Sequence, residues 1–264
     1  MTSFAELKYT DVLAELYDYF PKFSDFSDVN FYVEICRESD GPILELGCGT
    51  GRVLIALART GLETCGLDCS TDMLSKCSEK LMQEPEVVRQ RIRLIQGSMT
   101  DFSLPEKFSS IIIPFHPFQH LISVADQLAC LQCVYDHLHV GGMLVFDLMH
   151  VSFYGMSNEE NTLEQEDIPE TLLKDGRRIS RFSRIAYTHR AEQYNSIELI
   201  HYVTDTQGHQ ERIVQTFPYR YFFRYEIEHL LIRAGFHISR IYGDFDKTLL
   251  TDHSPGMIFV CHKI

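Results

Sequence analysis

Residues 43 to 52 read Ile-Leu-Glu-Leu-Gly-Cys-Gly-Thr-Gly-Arg, an apolar run broken by glycines at Gly47, Gly49 and Gly51 and followed by a helical pattern from Arg52 to Thr60. Alternating glycines let the chain turn tightly and let a ligand approach bare backbone, and the helix behind them presents unpaired N–H groups at its start. That is chemistry for holding a nucleotide-like ligand. Asp68 closes the next apolar run about 20 residues further on, the spacing at which a carboxylate accepts both hydroxyls of a ribose. The loop is GxGxG with Glu45 inside the preceding strand. It differs from the GxGxxG of dinucleotide enzymes, whose extra residue leaves room for a pyrophosphate, so an NAD-dependent oxidoreductase is disfavoured.

A second group follows the fourth apolar strand: Pro114-Phe115-His116-Pro117-Phe118-Gln119-His120. In a doubly wound sheet this loop lies at the carboxyl edge, where ligands bind. His116 and His120 are candidate bases because imidazole titrates near neutral pH, although His120 equally suits a helix cap or a hydrogen bond in the core. Tyr17 and Tyr32, in N-terminal helical stretches, are candidates to close over the ligand and substrate, with ordinary packing as the alternative. Arg220, Tyr221 and Arg224 are candidates to face the substrate or to bind the acidic stretch after residue 150.

The elements that must hold these residues alternate along the chain. Helical periodicity covers 5 to 20, ended by Pro21, and 28 to 38. Strands are expected at 42–46, 63–67, 92–96, 109–114 and 143–148, with helices at 52–60, 71–83 and 124–138 and a Gly141-Gly142 turn before the fifth strand. Strands apolar throughout and separated by helices form a parallel sheet covered on both faces. Residues 151 to 176 are acidic and irregular, predicting a surface excursion. Alternating stretches at 178–188, 194–205 and 211–222, with a turn at Thr206-Gln207-Gly208, predict an antiparallel meander. A helix at 224–234 and strands at 236–242 and 257–261 close the chain. The expected fold is α/β: a Rossmann-like seven-stranded mixed sheet with helices on both faces and an inserted antiparallel β meander as cap. Its parts are an N-terminal helical lid (1–40), a core (41–150), the excursion and cap (151–222), and a C-terminal segment completing the sheet (223–264).

With these elements in place, the chain resembles the class I S-adenosylmethionine (SAM) dependent methyltransferases, whose SAM loop is E-x-G-x-G-x-G, and within them the small-molecule branch of sugar N-methyltransferases and glycine N-methyltransferase. The resemblance is carried by ILELGCGTGRV (43–53), GLDCSTDML (66–74), GSMTDF (97–102), HPFQHL (116–121), RYFFRYEIEHLLIRAGF and YGDFD. It implies SAM as cofactor, with Gly47 and Gly49 along its methionine part, Asp68 on the ribose, Met73 on the adenine and Ser98-Met99 at the adenine edge. Arg52 is implied to pair with the SAM carboxylate, and Glu45, Cys48, Gly51, Cys69, Pro114 and Tyr17 to complete the surround. Met73 and Met99 suit the core equally well, and Arg52 suits an ion pair with an acid. His120 matches the histidine of a family His-Leu pair, whereas His116 stands where asparagine or serine is more usual; Ser98 stands where the family often has an acid, leaving its hydroxyl or Asp101 to accept from the adenine.

The implied reaction is methyl transfer by in-line displacement to a small polar acceptor, an amine first among them, with O-methylation or a catalytically silent SAM-binding protein as alternatives. A net charge of −13 repels polyanions, so nucleic acid is not an expected partner. The loop after the fourth strand also lacks the Asp/Asn-Pro-Pro-aromatic and Pro-Cys patterns of nucleic-acid base methyltransferases. No run is long and apolar enough for a bilayer span and the N-terminus lacks a secretory pattern, so no membrane partner and a cytoplasmic location are expected. Eight irregularly spaced cysteines do not form a disulfide framework, and the lone CxxC at Cys130 and Cys133 sits in a helical pattern. Asp147 alone at the fifth strand supplies too few oxygens for a metal, and none is expected. The edge of the meander leaves a homodimer open.

Overall fold

The computed structural model describes residues 14, 16–19, 27–151 and 159–264. Most of the helix expected over 5–20 lies outside these residues. The chain forms two compact units, one within 151–221 and the other from the preceding residues together with 222–264.

Five strands run through the first half of the larger unit: β1 (Ile43–Leu46), β2 (Thr64–Asp68), β3 (Ile92–Gln96), β4 (Phe108–Ile113) and β5 (Leu138–Met149). After the four strands of the smaller unit, β6 (Gln165–Leu172), β7 (Arg178–His189), β8 (Tyr194–Thr204) and β9 (Gln210–Arg220), the chain returns with β10 (Phe236–Tyr242) and β11 (Gly256–Lys263). The larger sheet has the order β10-β11-β5-β4-β1-β2-β3, with β1 to β5 mutually parallel and β11 antiparallel to both neighbours. The order reverses at β1, between β2 and β4. That switch point opens a crevice at the carboxyl ends of the strands.

Period-two alternation decides what lies on each face. Leu44, Leu46, Ile111, Ile113, Leu144, Phe146, Leu148, Met257 and Phe259 share one core cluster with the helices α5 (Val124–His137) and α6 (Arg224–Arg233). Their neighbours Ile43, Ile112, Val145, Ile258 and Val260 face the other way, onto Phe31 and Tyr32 of α1 (Ser27–Cys36) and Val53 and Leu57 of α2 (Arg52–Arg59). By the same alternation the acids Glu45 and Asp147 project towards α1 and α2. Two further helices, α3 (Thr71–Leu81) and α4 (Glu86–Arg89), lie between β2 and β3, and α3 is capped by Ser70, whose hydroxyl accepts from Met73 N at 3.2 Å.

Two expectations need correction. Gly141-Gly142 is no turn between helix and strand: β5 begins at Leu138, and Leu138 pairs with Phe108 while Met143 pairs with Ser110, so the glycines form a bulge inside the strand. The acidic excursion is not irregular throughout, because β6 forms within it and makes the second sheet four-stranded, β6-β7-β8-β9. Its acids are answered by arginines of the same sheet. Asp167 accepts from Arg181 at 2.9 Å and Glu170 from Arg178 at 3.1 Å.

Candidate active site at the switch point

The glycine loop connects β1 to α2 through left-handed backbone, with φ of 71° at Gly47 and 53° at Gly49. A methyl placed on Gly47 would stand 2.9 Å from Pro117 Cγ, whereas one on Gly49 meets nothing within 4 Å. The loop is thus pressed against Pro117 on one side and open on the other. Asp68, at the end of β2, receives the Gly49 N–H at 2.8 Å on one oxygen and the Ser70 N–H at 2.8 Å on the other. Burial raises the Asp68 carboxyl, and those N–H donors partly hold it down. Glu45 Oε2 is buried without a hydrogen-bond partner among the described residues, and burial pushes that carboxyl well up, with Arg52 offsetting part of the effect. An open glycine cradle, an aspartate at the end of β2 and an orphaned buried carboxylate oxygen fit a ligand with a ribose and an ammonium group, as SAM has.

Two acids from the N-terminal side grip the loop and the start of α2. Both oxygens of Asp28 accept from the Arg52 guanidinium, at 2.7 and 2.5 Å, a forked pair with both side chains largely buried. Asp18, in a 3-10 turn at Tyr17–Tyr19, accepts from Thr50 Oγ1 at 2.7 Å and from Lys80 Nζ at 3.0 Å. Arg52, whose implied partner is the SAM carboxylate, is thus held by a protein carboxylate, with its charge 5.3 Å from the centre of the Phe115 ring.

The loop after β4 is strained. Phe115 and His116 are consecutive non-glycine residues with φ of 67° and 68°, a conformation costing ~1–2 kcal/mol each. Asp147, in β5 next to this loop and 2% exposed, anchors it. Its Oδ1 accepts from the Phe115 N–H at 2.9 Å and from the Tyr32 hydroxyl at 2.5 Å, and its Oδ2 lies 3.3 Å from His116 Nε2. Burial lowers the His116 imidazole below its ordinary value, with Asp147 and then Asp28 pulling the other way. His120 ends the 3-10 turn Pro117–His120 and is half-buried, while Gln119 of that turn accepts from Met149 N at 2.7 Å.

The other predicted site residues lie as follows. Pro114 and Cys48 are buried, Met73 is buried in α3, and Cys69 is exposed beside Asp68. The Ser98 and Thr100 hydroxyls are 2.8 Å apart, and Met99 packs against the core. Tyr17 is half-buried. Tyr32, expected at the substrate, is fully buried with its hydroxyl on Asp147, so it reaches the loop through that carboxylate. In the smaller unit Arg220 Nη1 donates to Glu192 O at 3.0 Å and Tyr221 N to Gln193 O at 3.1 Å. Arg224 belongs to the larger unit, where it forms an exposed pair with Glu228 at 2.6 Å. Asp147, Asp28, Asp18 and Lys80 join the site without a motif that marks them. A signal existed for the first: an aspartate inside Leu-Val-Phe-Asp-Leu-Met, a buried strand, needs partners.

A family profile described as a methyltransferase domain matches residues 43–142, from β1 into β5. YqeM of Bacillus subtilis (strain 168) is 25% identical over 95% of this chain and 95% of its own. The dTDP-3-amino-3,4,6-trideoxy-alpha-D-glucopyranose N,N-dimethyltransferase of Streptomyces venezuelae is 30% identical over 49% of this chain and 50% of its own. Among solved structures, the CcbJ methyltransferase of Streptomyces caelestis superposes with a TM-score of 0.75 at 22% identity, covering 95% of this chain and 96% of that one. With the glycine loop, Asp68 and the sheet order already in hand, these similarities identify residues 43–142 as a methyltransferase domain, and nearly the whole chain shares the fold of solved SAM-dependent methyltransferases.

Proposed function

We propose that this enzyme methylates the nitrogen of a small polar amine by in-line displacement, in a site at the carboxyl edge of β1, β2 and β4. The observation that carries this is the contact of Pro117 with the backbone at Gly47, which sets the His116 loop directly beside the cofactor loop. Support for nitrogen comes from the sugar N,N-dimethyltransferase similarity. Gly47 and Gly49 would lie along the methionine part of SAM, Asp68 on the ribose, and Met73, Ser98 and Met99 around the adenine. Glu45 would face the ammonium group, with Tyr17, Cys48, Gly51, Arg52, Cys69 and Pro114 completing the surround.

Bound SAM supplies a methyl group already activated by its sulfonium. The chain's part is therefore to orient the acceptor, exclude water and hold a proton. His116 and His120 are the groups for the last task, Arg220, Tyr221 and Arg224 remain proposed substrate residues, and Tyr32 acts through Asp147. Eight free cysteines suit a reducing, cytoplasmic compartment, and an edge of the second sheet is the surface to test for a homodimer.

The test is release of S-adenosylhomocysteine across a panel of small amines, each paired with its alcohol analogue, for wild type, His116→Ala and His120→Ala. Turnover with amines alone, reduced in at least one variant, supports the proposal. Turnover confined to alcohols would move the reaction to oxygen, and SAM binding without turnover on any acceptor would favour a silent binding protein.

A further inference from the structure

The buried carboxylate of Asp147 ties α1 to the loop after β4. Oδ1 takes two donors, the Tyr32 hydroxyl of α1 and the Phe115 N–H. Oδ2 is buried with no hydrogen-bond donor among the described residues, yet His116 Nε2 lies 3.3 Å away. A buried carboxylate oxygen draws the nearest available proton, and here that proton belongs on Nε2 of His116. Contacts in a ligand-free site often start long and tighten when substrate binds. The charged groups that act on the ring are Asp147 from β5 and Asp28 from α1; the Tyr32 hydroxyl is engaged with Asp147, and the Arg52 guanidinium with Asp28.

We propose that Asp147 is a positioning residue for methyl transfer: it fixes the Phe115-His116 turn and holds His116 in the tautomer protonated on Nε2, which leaves Nδ1 as a bare acceptor for the N–H of the substrate amine. The two ring nitrogens point in widely different directions, so a ring tied to Asp147 through Nε2 turns Nδ1 away from that carboxylate. A hydrogen bond from the amine to Nδ1 orients the nitrogen lone pair at the carbon to be transferred. As the nitrogen–carbon bond forms, the carbon–sulfur bond breaks with its electron pair left on sulfur. The proton then shed by the nitrogen passes through Nδ1 to solvent. Only this last part rests on the amine methyltransferase reading. The hold on the tautomer stands by itself.

Asp147→Asn discriminates, because the amide oxygen can still accept from Tyr32 and Phe115 while its NH2 group donates to Nε2 and forces the proton onto Nδ1. Nitrogen-15 NMR of the ring, assigned with His116→Gln, should show the Nε2–H tautomer in wild type and the Nδ1–H tautomer in Asp147→Asn. The asparagine variant should lose on the order of 100-fold in kcat with SAM affinity within about twofold of wild type. Asp147→Asn combined with His116→Gln should be no slower than His116→Gln alone. An Nδ1–H tautomer in wild type, or an unchanged tautomer in the variant, would overturn the proposal, as would losses that multiply in the double variant. If Asp147→Asn does not fold, the wild-type tautomer still decides. Absence of transfer by a wild type carrying the Nε2–H tautomer would count against the amine reading alone.

Discussion

Substituting alanine at Gly49 separates what the cofactor loop needs in order to fold from what it needs in order to bind. Gly49 sits at φ 53°, which a residue with a Cβ enters at a cost of ~1 kcal/mol, and a methyl there meets nothing within 4 Å. Gly49→Ala should therefore lower stability by only about 1 kcal/mol, roughly 2–4 °C in Tm for a chain of this size. The same open space is where the methionine part of SAM is proposed to lie. Filling it should weaken SAM binding by on the order of 100-fold, or about 3 kcal/mol. Gly47→Ala is the contrast, because its methyl would stand 2.9 and 3.0 Å from two carbons of Pro117. Overpacking adds ~1–3 kcal/mol to the backbone cost there, so the fold itself should lose ~2–4 kcal/mol. Urea unfolding and calorimetric titration with SAM measure both quantities for both variants. Wild-type SAM affinity in Gly49→Ala would remove SAM from the space at Gly49, and equal stability losses in the two would show that Pro117 does not crowd Gly47.

Asp68→Ala should abolish measurable binding of both SAM and S-adenosylhomocysteine in the same titration while the protein stays folded; affinity indifferent to the change would remove Asp68 from the site. Asp28→Ala strands the buried Arg52 guanidinium and should cost ~3–5 kcal/mol, part of it recovered by adding Arg52→Leu; equal stability of single and double variants in urea would show that the pair is not coupled. In the smaller unit, burial pushes the His201 imidazole down to about 4, Arg181 adding and Asp167 opposing. The folded value lies below the unfolded one, so the neutral ring's stability is fully present above pH ~6.5 and is lost as pH falls towards 4, by at most about 3 kcal/mol. His201→Gln should flatten that acid-side loss, and parallel unfolding curves for the two proteins between pH 7 and 4.5 would contradict it.

The inner strands of the larger sheet were legible because they are largely buried and read as apolar runs, and the edge strands β3 and β10 because apolar residues recur among polar ones. β3 and β10 have the boundaries that periodicity gives, and β1 and β4 differ by a residue at their ends. β6 was hidden because it is an edge strand: Ile168 is its one buried residue, Pro169 is tolerated there, and its remaining positions are polar or exposed. The start of β5 was hidden because a glycine pair signals a turn, and a bulge uses the same residues. Within the site, the glycine loop and Asp68 were legible because their spacing is local. Asp147, Asp28 and Asp18 act across contacts far apart in sequence, with Tyr32, Arg52 and Thr50, and single acids carry no periodic signal.

One turnover with SAM labelled in its transferable methyl group, a small amine that the protein accepts, and NMR to locate the label in the product decides most directly between nitrogen and oxygen as the acceptor. Label is expected on nitrogen, with one S-adenosylhomocysteine formed per methyl moved and no transfer to the matching alcohol. Label on oxygen, or transfer to the alcohol at an equal rate, would overturn the proposed N-methylation.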